Sequence, residues 1–201
     1  MHPFWKKRLE MKTHIKTLIF IFFIALASSY EVQAQKFAFK TDLLKLSHTA
    51  VNLGIEAPAG NRFTIELEGA YKPWNLSDSG RRGKYALVQP EFRYWFCNIF
   101  DGSFLGVHLH GGIYNLGGVK SITALSEHRY EGWFVGAGFA YGYNFILSPH
   151  LNLELEAGAG YAYSRYDKYR CVDCGARVEE KVPFHYFGFT KASVSLIYLI
   201  Y

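Results

Sequence analysis

The chain has 201 residues, half of them apolar, with 17 Phe, 15 Tyr and 4 Trp, and 22 Lys and Arg against 17 Asp and Glu. That length fits one domain with at most a short appendage. So apolar a composition excludes a disordered chain, and three cysteines are too few for a disulfide scaffold.

The first element is an export signal. Lys6, Lys7, Arg8, Lys12 and Lys16 precede an apolar run from Leu18 to Ala27, and the segment then reaches Val32-Gln33-Ala34. The run is too short for a membrane helix, which needs about 20 residues. A basic start, an apolar centre and a small-x-small end predict a secretory signal peptide over 1–34, with Met11 a second possible start. The alternative is an uncleaved anchor or a buried helix. Cleavage after Ala34 takes away those five bases and the acids Glu10 and Glu31, leaving 17 against 15, a net of +2. Most of the basic excess belongs to the signal, so nucleic acid is not an expected partner.

From residue 35 to 201 the pattern is alternation with period two, which predicts strands with two unlike faces. Trp133, Val135, Ala137, Phe139, Tyr141, Tyr143 and Phe145 interleave with small residues, and Leu151, Leu153, Leu155, Ala157, Ala159 and Tyr161 repeat the theme. Eight strands are predicted, over 36–44, 51–57, 62–73, 85–97, 103–115, 130–146, 151–165 and 186–201. Short turns at Pro58–Asn61, Asn98–Gly102 and Leu147–His150 alternate with longer loops over 74–84, 116–129 and 166–185, the loop over 45–50 being brief. This fits an all-β, antiparallel, up-and-down transmembrane barrel of eight strands, located in the outer membrane.

Size decides which face points out. The large face carries Phe63, Ile65, Leu67, Phe92, Tyr94, Leu105, Val107, Phe139 and Leu155, too much bulk for the inside of so narrow a barrel. The other face mixes Gly, Ala and Ser with Lys40, Asp42, Glu56, Glu66, Glu68, Lys72, Glu91, Arg93, Glu154, Glu156 and Lys191. Placed inside, these charges compensate one another in a filled polar lumen. A soluble periplasmic β-sandwich with a wider core is the rival reading. Aromatics gather at both ends of the strands. Tyr71, Trp74, Tyr85, Tyr130, Trp133, Tyr161 and Tyr163 are expected at the outer rim. Phe37, Phe63, Tyr94, Phe96, Tyr143, Phe145, Tyr198 and Tyr201 are expected at the inner rim. The last strand, Ser193 to Tyr201, is amphipathic and ends on an aromatic. It looks like the segment that outer-membrane barrels present to their insertion machinery.

Lys40-Thr-Asp-Leu-Leu44, Asn52-Leu-Gly-Ile-Glu56, Tyr71-Lys-Pro-Trp74, Gln89 to Cys97, Gly106 to Gly112, His128 to Trp133 and Gly158 to Tyr161 resemble one family. It is a domain-of-unknown-function family of small exported proteins from Bacteroidales-type bacteria, sometimes encoded near fimbrial or other surface-protein genes. The resemblance covers nearly the whole mature chain. It implies an outer-membrane-like barrel, and it supplies no catalytic residues.

The chemistry-bearing residues are few. Cys171 and Cys174, with two residues between them, sit in the longest predicted loop, and a loop-stabilising disulfide is the favoured reading over a redox pair or half a zinc site. Cys97, at the opposite rim, is expected to be inert and partly buried. His108 and His110 share one face of a strand, as metal ligands or, the favoured reading, as lumen fillers bonded to carboxylates. Arg81, Arg82 and Lys84 are placed to contact lipopolysaccharide phosphates, or are simply solvated. Serines such as Ser47 and Ser77 have no nucleophile motif around them, and the strand glycines form no phosphate-binding loop. No cofactor is expected. The reading is a non-catalytic structural or surface protein with no open pore. Its rivals are docking of a surface or fimbrial partner through the outer loops, and a lipid-modifying barrel enzyme.

Overall fold

The computed structural model describes residues 37–75, 82–118, 128–171 and 175–200. The segment read as a signal peptide, Arg81, Cys174 and Tyr201 lie outside them. Eight strands run in order: β1 Phe37–Asp42, β2 Val51–Pro58, β3 Phe63–Lys72, β4 Arg82–Trp95, β5 Gly102–Gly117, β6 Arg129–Ser148, β7 Leu151–Tyr169 and β8 Arg177–Ile200. Each pairs antiparallel with the next, and β1 pairs with β8, so the sheet is one closed barrel rather than a two-sheet sandwich. Closure satisfies both edges of the sheet without an exposed ladder.

The early strands are short and the later ones long, from 6 residues in β1 to 20 in β6, 19 in β7 and 24 in β8. The expected strand over 36–44 stops early because Asp42 caps a short helix, α1, Leu43–Ser47. Its Oδ1 accepts from Leu44 N–H at 2.9 Å, a usual way to satisfy a first-turn donor. The side chain of Asn52 replaces the missing ladder. Its Oδ1 accepts from Asp42 N–H at 2.6 Å and its Nδ2 donates to Asp42 O at 3.0 Å. At the other end of the chain the strands run longer than expected: the loop expected over 166–185 is mostly the upper parts of β7 and β8.

Register carries one parity through most of the wall. Residues of odd number in β3 and β5 face outward, as do their partners in β4, β6 and β7. In β8 the pairing shifts between Gly158–Lys191 and Ala159–Phe189. This bulge at Thr190 re-aims the strand above it, as an extra residue must. The outward rows are apolar around the ring. One runs Ile65, Phe92, Val107, Phe139, Ala159, Phe189, and the next runs Leu67, Pro90, Leu109, Ala137, Tyr161, Phe187. Phe187 and Phe189 are 85% and 80% exposed. On β4 to β7 charges of outward register occur only above these rows, among them Lys84, Glu131, Arg165 and Asp167.

The inner end is closed by an apolar plug. Trp95, Phe100, Phe104, Ile197, Leu199 and Ala38 are buried together, with the Trp95 and Phe104 rings 4.7 Å apart. Phe100 reaches in from the β4–β5 turn with φ of 63°, a strained conformation for a bulky residue. Its carbonyl accepts from Asn152 Nδ2 at 3.0 Å. This plug was not foreseen: the sequence placed bulky rings outside and small or polar groups within.

Candidate functional site: the charged lumen

Above the plug the inward rows bring distant parts of the chain together. Arg93 on β4 is the hub, fully buried. Its Nε donates to Glu91 Oε1 at 2.7 Å, Nη1 to Glu56 Oε2 at 2.9 Å and Glu154 Oε2 at 3.0 Å, and Nη2 to Glu156 Oε2 at 2.9 Å. It also pairs with Glu66. Lys40 from β1 lies 2.7 Å from Glu56, 3.1 Å from Glu66 and 2.8 Å from Glu154. Lys191 from β8 lies 2.6 Å from Glu91 and 2.9 Å from Glu156. Five carboxylates thus surround three cations. A planar guanidinium with five donors suits the hub position, where a lysine could not reach so many partners at once. The network is tied to the plug: Trp95 Nε1 donates to Thr64 Oγ1 at 2.9 Å, Thr64 bonds Glu56, and the Arg93 guanidinium lies 4.4 Å over the Phe104 ring.

Asp42 and Glu68 form a second layer around Lys45 of α1. Lys72 donates to His48 O at 2.6 Å. Lys45 was absent from the expected set because its position read as loop, and it faces the lumen only because α1 turns it inward. Glu56 was legible from alternation alone.

His108 and His110 lie in the lumen with rings 5.5 Å apart. His108 Nε2 meets Thr190 Oγ1 at 2.9 Å, so its partner is a hydroxyl rather than the expected carboxylate. Glycines across the barrel make room for these rings. A Cβ on Gly138 would sit 2.7 Å from His108 Nε2, and one on Gly136 would collide with His110 and with the Tyr161 carbonyl. Among the described residues no group of three His, Cys, Asp or Glu could hold a metal.

Several rim placements change. Tyr85 and Tyr130 sit at the outer end as expected but share parity with inward Gln89 and Phe134, so they face the lumen side and leave the outward face to Tyr71, Trp74, Trp133 and Tyr163, with Tyr161 one row lower. Cys97 is exposed in the β4–β5 turn, not partly buried, because the strand ends at Trp95. Cys171 is disulfide-bonded. Arg82 opens β4, and Lys84 is exposed on the outer face.

Fold and interior together define a small closed β-barrel that buries a compensated charge network above an apolar plug. The family model described as "Protein of unknown function (DUF3575)" matches residues 20–200, and the chain belongs to that family. A search of curated proteins found no match.

Proposed function

We propose that the chain is a non-catalytic outer-membrane barrel, a structural or cell-surface protein exported by its N-terminal signal. One observation carries the reading: the outward rows are apolar around the whole ring, while the charged side chains at the same height point inward. In water this arrangement would expose Ile65, Leu67, Leu109, Phe139, Phe187 and Phe189 at great cost, whereas against lipid it removes them from water. On β6 the apolar outward stretch from Trp133 to Phe145 measures about 40 Å along the strand at roughly 3.3 Å per residue. At a tilt of about 40° that is roughly 30 Å, the thickness of a hydrocarbon core.

The plug and the Arg93 network support a filled lumen with a load-sharing role for the interior rather than conduction. The amphipathic β8, with Ile197 and Leu199 inward and Tyr198 and Ile200 outward, supports recognition by the barrel insertion machinery. The long β7–β8 hairpin gives a surface for docking an extracellular or fimbrial protein. Membrane fractionation combined with gel mobility before and after boiling tests the reading. Enrichment in the outer-membrane fraction with a heat-dependent shift is expected, and a soluble periplasmic protein would overturn it.

A further inference from the structure

At the outer end of the wall lies a cavity of about 760 Å3. The register shows what builds it. Tyr71, Ala86, Ile113, Trp133 and Arg165 form one outward row across β3 to β7, and Lys84, Asn115, Glu131 and Asp167 form the next row above. Lys181 of β8 closes the side. Directly below, the outward row is Gly69, Val88, Gly111, Val135 and Tyr163, and nothing lies within 4 Å of a Cβ placed on Gly69. The cavity therefore has a polar upper lip of mixed charge, a floor of Tyr71 and Trp133 flanked by Arg165, and the apolar outward rows of the wall directly below.

Its charges are partly uncommitted. Asp167 already meets Arg177 at 3.4 Å and accepts from Lys181 N–H at 2.7 Å. Among the described residues, Lys84 and Arg165 have no carboxylate partner, and Glu131 has no cation. The free set is thus two cations and one acid, a net positive charge above an apolar floor.

We infer that this cavity binds the phosphate headgroup of a lipid, with Lys84 and Arg165 on the phosphate, Trp133 and Tyr71 against the glycerol or sugar, and the acyl chains against the apolar outward rows below. The inference rests on the membrane reading above. Two cations flanking a cavity match a phosphate's charge and its acceptor oxygens. Tyr and Trp rings are suited to the boundary between headgroup and chain. The apolar rows directly below the cavity make the ligand a lipid instead of a free phosphate. Glu131 stands where it can accept from an ammonium or hydroxyl on the same headgroup.

The test uses the full-length chain folded in detergent micelles and incubated with a short-chain phosphatidic acid, the matching diacylglycerol, or inorganic phosphate, with bound ligand counted by native mass spectrometry. Folding is checked separately by unboiled gel mobility. Retention of phosphatidic acid alone is expected, reduced at least tenfold in Lys84→Gln/Arg165→Gln, kept in Lys84→Arg/Arg165→Lys, and unchanged in Lys168→Gln. Equal retention of diacylglycerol, equal retention of inorganic phosphate, or full retention by the double glutamine variant would overturn the site. A chain that does not fold in detergent contradicts the membrane reading and the site with it, whereas a folded barrel without lipid preference contradicts the site alone.

Discussion

Lys40 on β1 and Glu154 on β7 meet across the lumen, the ammonium 2.8 and 3.0 Å from the two carboxylate oxygens, although 114 residues separate them in the chain. Both side chains are nearly fully buried, so each would be costly alone. Removing one partner of a buried pair costs roughly 3–5 kcal/mol, largely through the charge left behind. In a double-mutant cycle, Lys40→Met with Glu154→Gln should be less destabilising than the two single changes added, by about 1–3 kcal/mol. Urea unfolding in detergent or lipid measures it, and simple additivity would show that the pair is not energetically coupled.

Arg93 should tolerate no replacement, including lysine. Arg93→Leu strands five carboxylates against two lysines, and a cost at or above about 3–5 kcal/mol is expected. Arg93→Lys keeps the charge but loses the fork that reaches Glu56, Glu91, Glu154 and Glu156 together. The lysine variant should therefore unfold at clearly lower urea than the parent. An unchanged midpoint would show that charge alone, without geometry, holds the network.

Two glycine substitutions separate the lumen from the outer wall. Gly106→Ala places a methyl against the Glu91 carboxylate, between its contacts to Arg93 and Lys191, whereas Gly69→Ala meets nothing. Overpacking of this kind costs about 1–3 kcal/mol, so Gly106→Ala should lower stability while Gly69→Ala stays within about 0.5 kcal/mol of the parent. Equal effects would mean that the inward and outward faces are assigned wrongly.

Cys97 reports orientation. It is exposed in the β4–β5 turn, at the same end as Phe37 and Ile200. With the termini on the periplasmic side, a membrane-impermeant maleimide should spare Cys97 in intact cells and label it after the outer membrane is permeabilised. Labelling of intact cells would invert the topology.

The filled interior predicts electrical silence. Trp95, Phe100 and Phe104 close the inner end, and the Arg93 network fills the section above. Purified protein in planar bilayers should give no steady conductance. Persistent large steps would require the plug to open.

What the sequence made legible follows from where the period of two was undisturbed. On β5, β6 and β7 the alternation is long and unbroken, so faces, charges and histidines could be assigned before any coordinates. It failed where one residue breaks the repeat. Asp42 and Asn52 end β1 through side-chain bonds that have no periodic signature. The bulge at Thr190 changes parity within β8, and the first part of that strand, 177–185, lies where a loop was expected. Trp95 and Phe104 sit on the inward parity, but an interior expected to be too narrow for bulky rings gave no sign that they meet the turn residue Phe100 in a plug. Glu56 needed only the alternation of β2; Lys45 needed the helix. The cavity at the outer rim was out of reach, because its lip is assembled from rows that cross five strands.

The central claim is that the apolar face of this barrel meets lipid while its charges are held inside. Exposure of the refolded chain to vesicles containing brominated lipids tests it most directly, through quenching of Trp133 on the outer wall against Trp95 in the plug, each retained as the sole tryptophan of the barrel. Strong quenching of Trp133 and little of Trp95 is expected. Equal quenching of both, or none of either in a folded chain, would contradict it.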